Sequence, residues 1–185
     1  LKGCVVDGVE QGIERFHDAA ALLQQFVVAR HAVGNFLAQL PDQTWWLGTT
    51  RGAYQLRDGR WTLAGEQPGP LQAEVHALAV IGGELWAATE QGLWSRRAGA
   101  WVARSPAAPA TPPAVYALAP AIARPGIWLA REDGVARYDP ATGAAGEPYT
   151  PINSGMPSRR AHALVERDGI LWIVTRAGIG HLKLP

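Results

Sequence analysis

The chain has 185 residues, of which 48% are hydrophobic and 18% charged, with a formal net charge of +1. That balance excludes a disordered tail, which is poorer in apolar groups and richer in charge, and it is no footprint of a nucleic-acid binder. A single cysteine, Cys4, excludes an intrachain disulfide framework and a four-cysteine zinc site.

The remaining skew is structural or mutational. With 21 glycines and 14 prolines, turns are frequent, and 8 tryptophans stand against 3 phenylalanines. Arginine outnumbers lysine 15 to 2, a bias that goes with a GC-rich bacterial genome and not with a function. No stretch reaches the roughly 18 uninterrupted apolar residues of a membrane-spanning helix. The nearest, residues 19–33, is broken by Gln24, Gln25, Arg30 and His31. The chain starts at Leu1 and not at Met, so it reads as a piece of a longer protein.

The strongest signal is internal repetition, found by aligning each tryptophan with the glycine six residues after it. In chain order, the first copy is Cys4-Val5-Val6 followed by Gly12 and Ile13-Glu14-Arg15-Phe16, with Val6 where the others have tryptophan. Residues 19–32 read as an outer strand plus a connection by repeat register, or as one or two helical turns by composition; both stay open. The later copies carry Trp46 and Gly52, Trp86 and Gly92, Trp128 and Gly134, and Trp172 and Gly178, with tryptophan spacings of 40, 42 and 44 residues.

Each copy reads as short strands. In the third, His76-Ala77-Leu78-Ala79-Val80 is a strand closed by Ile81-Gly82-Gly83. Leu85-Trp86-Ala87-Ala88-Thr89 is the next, Leu93-Trp94-Ser95 returns after Glu90-Gln91-Gly92, and Ala100-Trp101-Val102-Ala103 is the fourth. Asp58-Gly59, Asp168-Gly169 and Asp139-Pro140-Ala141-Thr142-Gly143 are tight-turn sequences. Four short strands per ~40 residues predict an all-β fold, a β-propeller of about five four-stranded blades. The units are 1–33, 34–73, 74–113, 114–159 and 160–185, the first and last incomplete, as part of a larger six- to eight-bladed ring. A single such sheet cannot bury both faces, so blades stack radially. Trp46, Trp86, Trp128 and Trp172 are expected to fill the gaps between blades, and Gly12, Gly52, Gly92, Gly134 and Gly178 to take the positive φ that a Cβ disfavours.

The last unit is the best formed: Asn153-Ser154-Gly155-Met156-Pro157-Ser158, His162-Ala163-Leu164, Asp168-Gly169, Leu171-Trp172-Ile173-Val174-Thr175 and Gly178-Ile179. It resembles the two-component regulator propeller repeat, whose unit runs Asn-Ser-Gly-Leu-Pro, Asp-x-x-Gly, Leu-Trp-Ile-Gly-Thr and a Gly-Leu hairpin. The second unit repeats the core as Trp46-Leu47-Gly48-Thr49, and the fourth departs with Arg131 where threonine is usual. The motif specifies blades and no ligand. The resemblance implies the extracytoplasmic sensor of a bacterial membrane protein, on the periplasmic or extracellular side. Such sensors carry further blades and a histidine-kinase or diguanylate-cyclase output domain in the same chain, and they respond to poly- or oligosaccharides.

No catalytic constellation emerges. The five histidines (His17, His31, His76, His162 and His181) show no metal-ligand spacing, Cys4 reads as a buried thiol, and no cofactor is expected. Two sets suit ligand binding at the mouth of a channel. The first is the polar residue of the inner strand: His76, Tyr116 and His162. The second is the hairpin between second and third strands: Arg51, Glu90, Gln91, Glu132, Asp133 and Arg176. The first set also fits residues that merely satisfy local backbone groups, and the second a plain solvated rim with weak salt bridges. Trp45, without a counterpart in other units, is the stacking candidate if it faces solvent. The expected function is non-catalytic binding of a small-molecule or saccharide ligand. An enzyme using His76, His162 and Glu132, or a protein-interaction scaffold, is the alternative. A homodimer stays open; no nucleic acid and no membrane contact are expected of this segment.

Overall fold

The structure is a computed structural model that describes residues 34–64, 73–104 and 113–184, with the backbone alone for residues 34–36. The readings for Cys4, Gly12, His17, His31 and residues 19–32 lie outside the described residues. Among the described residues, fourteen strands form four antiparallel sheets, each a simple meander in which sequence neighbours are hydrogen-bonded neighbours. The first holds β1 (Gly34–Gln39), β2 (Trp45–Thr49), β3 (Gly52–Arg57) and β4 (Arg60–Leu63). The second holds β5 (Val75–Ile81), β6 (Glu84–Thr89), β7 (Gly92–Arg97) and β8 (Ala100–Ala103). The third holds β9 (Val115–Pro120), β10 (Ile127–Arg131) and β11 (Gly134–Tyr138), and the fourth β12 (Ala161–Arg167), β13 (Ile170–Thr175) and β14 (Gly178–Lys183).

Successive sheets pack face to face. The forward face of each carries small residues on its first strand and a tryptophan on its second. The back face of the next carries Val, Leu and Ile. Thus Ala38, Trp46 and Ala53 meet Val75, Leu78 and Leu85. Ala77, Trp86 and Leu93 meet Val115, Ile127 and Leu129. Ala119, Trp128 and Val135 meet Leu164, Leu171 and Ile173. The first strands come together, β1 beside β5, β5 beside β9 and β9 beside β12, because alanine on the forward face lets backbones approach. Away from them the indoles fill the space. Trp46 meets Trp101 edge-on with centroids 5.5 Å apart, and Trp86 meets Tyr138 at 6.2 Å. The buried indole N–H groups of Trp46 and Trp86 have no hydrogen-bond partner among the described residues. An arginine instead covers each ring, Arg96 at 5.0 Å and Arg104 at 5.5 Å.

Burial follows from this stacking. In β6 the five residues from Leu85 to Thr89 are all buried, because both faces are covered, and the strand reads as a continuous apolar run. In β13 buried and exposed residues alternate, because only the back face is covered among the described residues. Trp172 shows the consequence. It occupies the position of Trp86 but is 43% exposed, since no described sheet follows β14. Val165, Val174 and Ile179 are exposed on the same face.

The threonine closing each Leu-Trp run has a local task. Thr49, Thr89 and Thr175 each donate a hydroxyl to the carbonyl of Gly52, Gly92 and Gly178 at 2.9 Å. Each also accepts from the backbone N–H two residues on, at 3.0, 3.1 and 3.2 Å. Arg131 stands in that place in the third sheet and pairs instead with Asp133, at 2.9 and 2.7 Å.

The fourth unit, which forms the third sheet, departs from the expected four strands. Beyond Tyr138 the chain makes only two isolated bridges, Tyr138 with Ala145 and Val135 with Tyr149. Pro140, Pro148 and Pro151 cannot donate to a ladder. A Cβ at Gly134 (φ 138°) would run into the Tyr149 carbonyl oxygen, so only glycine admits that segment so close. Asn153-Ser154-Gly155, read as part of the repeat, is a helical turn, α1 (Pro151–Ser154). It is capped by Thr150 in a reciprocal box with Asn153 and closed by left-handed Gly155.

Glu166 ties the fourth sheet to the third. Its carboxylate, in a residue 5% exposed, accepts from the Ile122 N–H (2.9 Å), the Ala123 N–H (2.6 Å) and the Trp128 indole N–H (2.6 Å). Burial pushes its pKa up, but the three donors outweigh burial and hold it below the ordinary carboxylate value of 4.5.

Two outcomes follow for stability. Trp86→Ala is expected to cost about 3–5 kcal/mol, as for a large buried aromatic, whereas Trp172→Ala costs under about 1 kcal/mol; denaturant titration of the 185-residue chain compares them. Because the folded pKa of Glu166 is depressed, its contribution is complete above the unfolded value and is lost as pH falls through the folded one. Melting curves of wild type should therefore drop below about pH 4.5 more steeply than those of Glu166→Gln, whose curve is lower at neutral pH.

Candidate functional site

Each first strand begins with the same irregularity. The pairing of β1 with β2 skips Asn35, that of β5 with β6 skips His76, that of β9 with β10 skips Tyr116, and that of β12 with β13 skips His162. The recurring polar position is thus the extra residue of a β-bulge, a device that takes a side chain out of the strand's alternation and re-aims it. The residue before each bulge pairs with the last residue before the next hairpin: Gly34 with Thr49, Val75 with Thr89, Val115 with Arg131 and Ala161 with Thr175. Bulge residues and hairpin turns, the two sets singled out by sequence, therefore lie at the same end of the sheets.

The side chains there form a continuous row across three sheets. His76 Nε2 lies 2.9 Å from Glu90 Oε2, and its Nδ1 lies 3.8 Å from Glu74. The His76 ring meets Tyr116 at 5.2 Å. The guanidinium of Arg160 sits over the Tyr116 ring, 3.8 Å from its centre. His162, two residues beyond Arg160, has its pKa lowered from 6.5, first by partial loss of solvent and then by the charges of Arg176 and Arg160. At pH 7 its imidazole is neutral, so it offers one donor and one acceptor. The row runs from an acidic end (Glu74, Glu90) through Tyr116 to a basic end (Arg160, Arg176). Such a surface can hydrogen-bond hydroxyls along its length, place an apolar ring face against Tyr116 and receive an anionic group at the arginine end.

The other candidates are distributed differently. Glu132 and Arg51 sit on the exposed hairpins of the third and first sheets. Among the described residues no contact joins Glu132 to either histidine. Asp133 is occupied by Arg131. Trp45 is half-buried and does not belong to the row. It pairs with Gln39 at the opposite end of β1 and β2 from the bulge, about 13 Å away at ~3.3 Å per strand residue. Its register partners in later sheets, Leu85, Ile127 and Leu171, all face the preceding sheet. Sequence reasoning missed Glu74 and Arg160. Both stand two residues before a bulge residue, in Glu74-Val75-His76 and Arg160-Ala161-His162, so the flanking position carried the signal. Among the described residues no group of three or more His, Cys, Asp or Glu side chains could hold a metal ion, and no helix is long and apolar enough to cross a membrane.

No protein-family model matches the chain, and no curated protein matches it. Solved structures do. The extracellular domain of BT4673 of B. thetaiotaomicron, a candidate hybrid two-component system, is similar with a TM-score of 0.69 at 15% identity, covering 83% of this chain and 20% of that one. The extracellular domain of BT3049, a second such candidate from the same organism, is similar with a TM-score of 0.66 at 20% identity, covering 82% and 24%. A catalytically inactive virginiamycin B lyase of Staphylococcus aureus, solved with quinupristin, gives 0.57 at 15% identity, covering 83% and 56%. The chain therefore shares the all-β, propeller-like fold of these proteins, and spans a fifth to a quarter of the length of the two extracellular domains.

One outcome tests the row's electrostatics. Replacing Arg176 by Ala should raise the pKa of His162 towards 6.5, read from the pH titration of its ring resonances by NMR; an unmoved titration would mean that the guanidinium does not face the ring.

Proposed function

We propose that this chain is part of the extracytoplasmic sensing propeller of a bacterial signal-transduction protein, and that it binds a poly- or oligosaccharide-like ligand without turning it over. The carrying observation is the row of contacts from Glu90 through His76 and Tyr116 to Arg160, with His162 within electrostatic reach of Arg160 and Arg176. A row crossing three sheets suits an elongated ligand with many hydroxyls and few charges. Its central aromatic suits the apolar face of a sugar ring, and its arginine end suits a uronate carboxylate. The likeness in fold to extracellular domains of candidate two-component systems supports the location and the role. In this reading a ring of six to eight blades includes further sheets of the same repeat. One of them covers the forward face of the fourth sheet, whose Val165, Trp172 and Val174 repeat the pattern of the three buried faces. An output domain elsewhere in the parent chain reads the occupied state.

A second reading rests on the 2.9 Å contact between His76 and Glu90, since a carboxylate-oriented imidazole is the arrangement that a general base needs. In that reading the chain is a propeller enzyme of the lyase type. Calorimetric titration with neutral and uronate-containing oligosaccharides, followed by mass analysis of the recovered ligand, separates the two. Expected is binding that Tyr116→Ala and Arg160→Ala each weaken about tenfold, equivalent to ~1.4 kcal/mol, with the ligand returned intact. Binding indifferent to both substitutions would overturn the site, and a cleaved ligand would decide for the enzyme.

A further inference from the structure

The departures of this chain from its own repeat converge on one place, away from the bulge row. The connection from β9 to β10 is six residues (121–126), against five (40–44) from β1 to β2 and two each from β5 to β6 and from β12 to β13. The third sheet has no fourth strand. Glu166 stands where the second sheet has Val80 and the third Pro120, in the register set by the bulges. The long connection, the missing strand and the Glu166 side chain together border a cavity of about 250 Å³ between the third and fourth sheets. That is room for about eight waters at ~30 Å³ each, or for a ligand of roughly that many heavy atoms.

Its lining has a definite chemistry. Trp128 and Tyr149 are aromatic walls, 6.2 Å apart and inclined at 49°. Ala121 and Leu184 add apolar surface, and Arg124 and Arg137 bring two guanidiniums. Neither forms a salt bridge among the described residues. Arg137 donates one N–H to the Pro125 carbonyl (2.8 Å), which pins it to the long connection, and it lies within electrostatic reach of Asp139. Two carboxylates also line the cavity, but Glu166 is engaged by three N–H donors and Glu147 is exposed to solvent. With Glu166 engaged, the free charged groups of the lining are the Arg124 and Arg137 guanidiniums and the Glu147 carboxylate, beside an aromatic and aliphatic wall. Guanidiniums match carboxylates in geometry, and Arg137 is the less exposed of the two.

We propose that this cavity is a second binding site, separate from the bulge row, for a small monocarboxylate with an aromatic or aliphatic body, held by Arg124 and Arg137 with its apolar part against Trp128 and Tyr149. Because Glu166 holds both Trp128 and the connection, occupancy would stiffen the junction between the third and fourth sheets.

The test is a titration of the ¹⁵N-labelled chain with benzoate and hexanoate, with benzamide as the neutral control. It reads the Trp128 indole N–H, assigned by its loss in Trp128→Phe. Expected is a saturable shift with at least one of the two carboxylates, and at least tenfold weaker binding of benzamide. In Arg124→Gln, an exposed loop substitution whose melting curve should match wild type, carboxylate binding falls about tenfold while benzamide is unaffected. An unmoved Trp128 signal with both carboxylates would overturn the proposal. So would equal binding of benzoate and benzamide, or indifference to Arg124→Gln. None of these outcomes bears on oligosaccharide binding at the bulge row.

Discussion

A β-sheet with apolar residues on both faces cannot be stable alone, and everything in this molecule depends on how that excess is hidden. The solution is directional. Alanines at the first strand let successive sheets touch there, and an indole from the second strand occupies the space that opens beyond. The same strand position shows the constraint by its presence and its absence. Trp86 is buried with sheets on both sides, whereas Trp172, identical in local sequence role, is half exposed where no described sheet follows. The indole is thus an interface residue, and its burial is a property of the neighbour as much as of its own sheet.

The same stacking creates the candidate site. A bulge at one sheet edge would present one polar side chain. The second, third and fourth sheets, with the bulge at the same register and brought together at their first strands, present a row in which His76 touches Tyr116 and Tyr116 lies under Arg160. The second function of the bulge is to spare the alternation behind it. The residues after it return to the packing faces: Leu78, Leu118 and Leu164 are buried, whereas Leu37 of the first sheet, which no described sheet precedes, is 44% exposed. Repetition keeps the scaffold constant, and the residues free to vary are those the bulge takes out of the packing. The third sheet, with Arg131 for threonine, a long first connection and no fourth strand, is where the scaffold itself varies, and a cavity is the result.

Much of this was legible in the sequence because it is local or periodic. The Leu-Trp-x-x-Thr run followed by glycine encodes a strand, a hydroxyl clamp and a hairpin within ten residues, and each recurs at the same spacing. The polar inner position was visible as a set. That it is a bulge was not, since an extra residue shows only in the pairing of two strands. Trp45 shows the same limit of a one-dimensional reading. Its singularity suggested a ligand contact, while its register with Leu85, Ile127 and Leu171 assigns it to the back face of its sheet. The Asp139–Gly143 turn resembled a hairpin that opens a fourth strand, but the prolines that follow remove the donors such a strand would need.

The sequence by itself determined the unit: its length, its strands, its turns and the residue types on each face, because these are set by interactions among residues near one another in the chain. Only the tertiary structure decided which faces are covered, which polar residues meet, and that Glu166 reaches back to Trp128 across 38 residues. Those outcomes depend on the approach of one sheet to the next, and a one-dimensional repeat carries the period of that approach but not its partners.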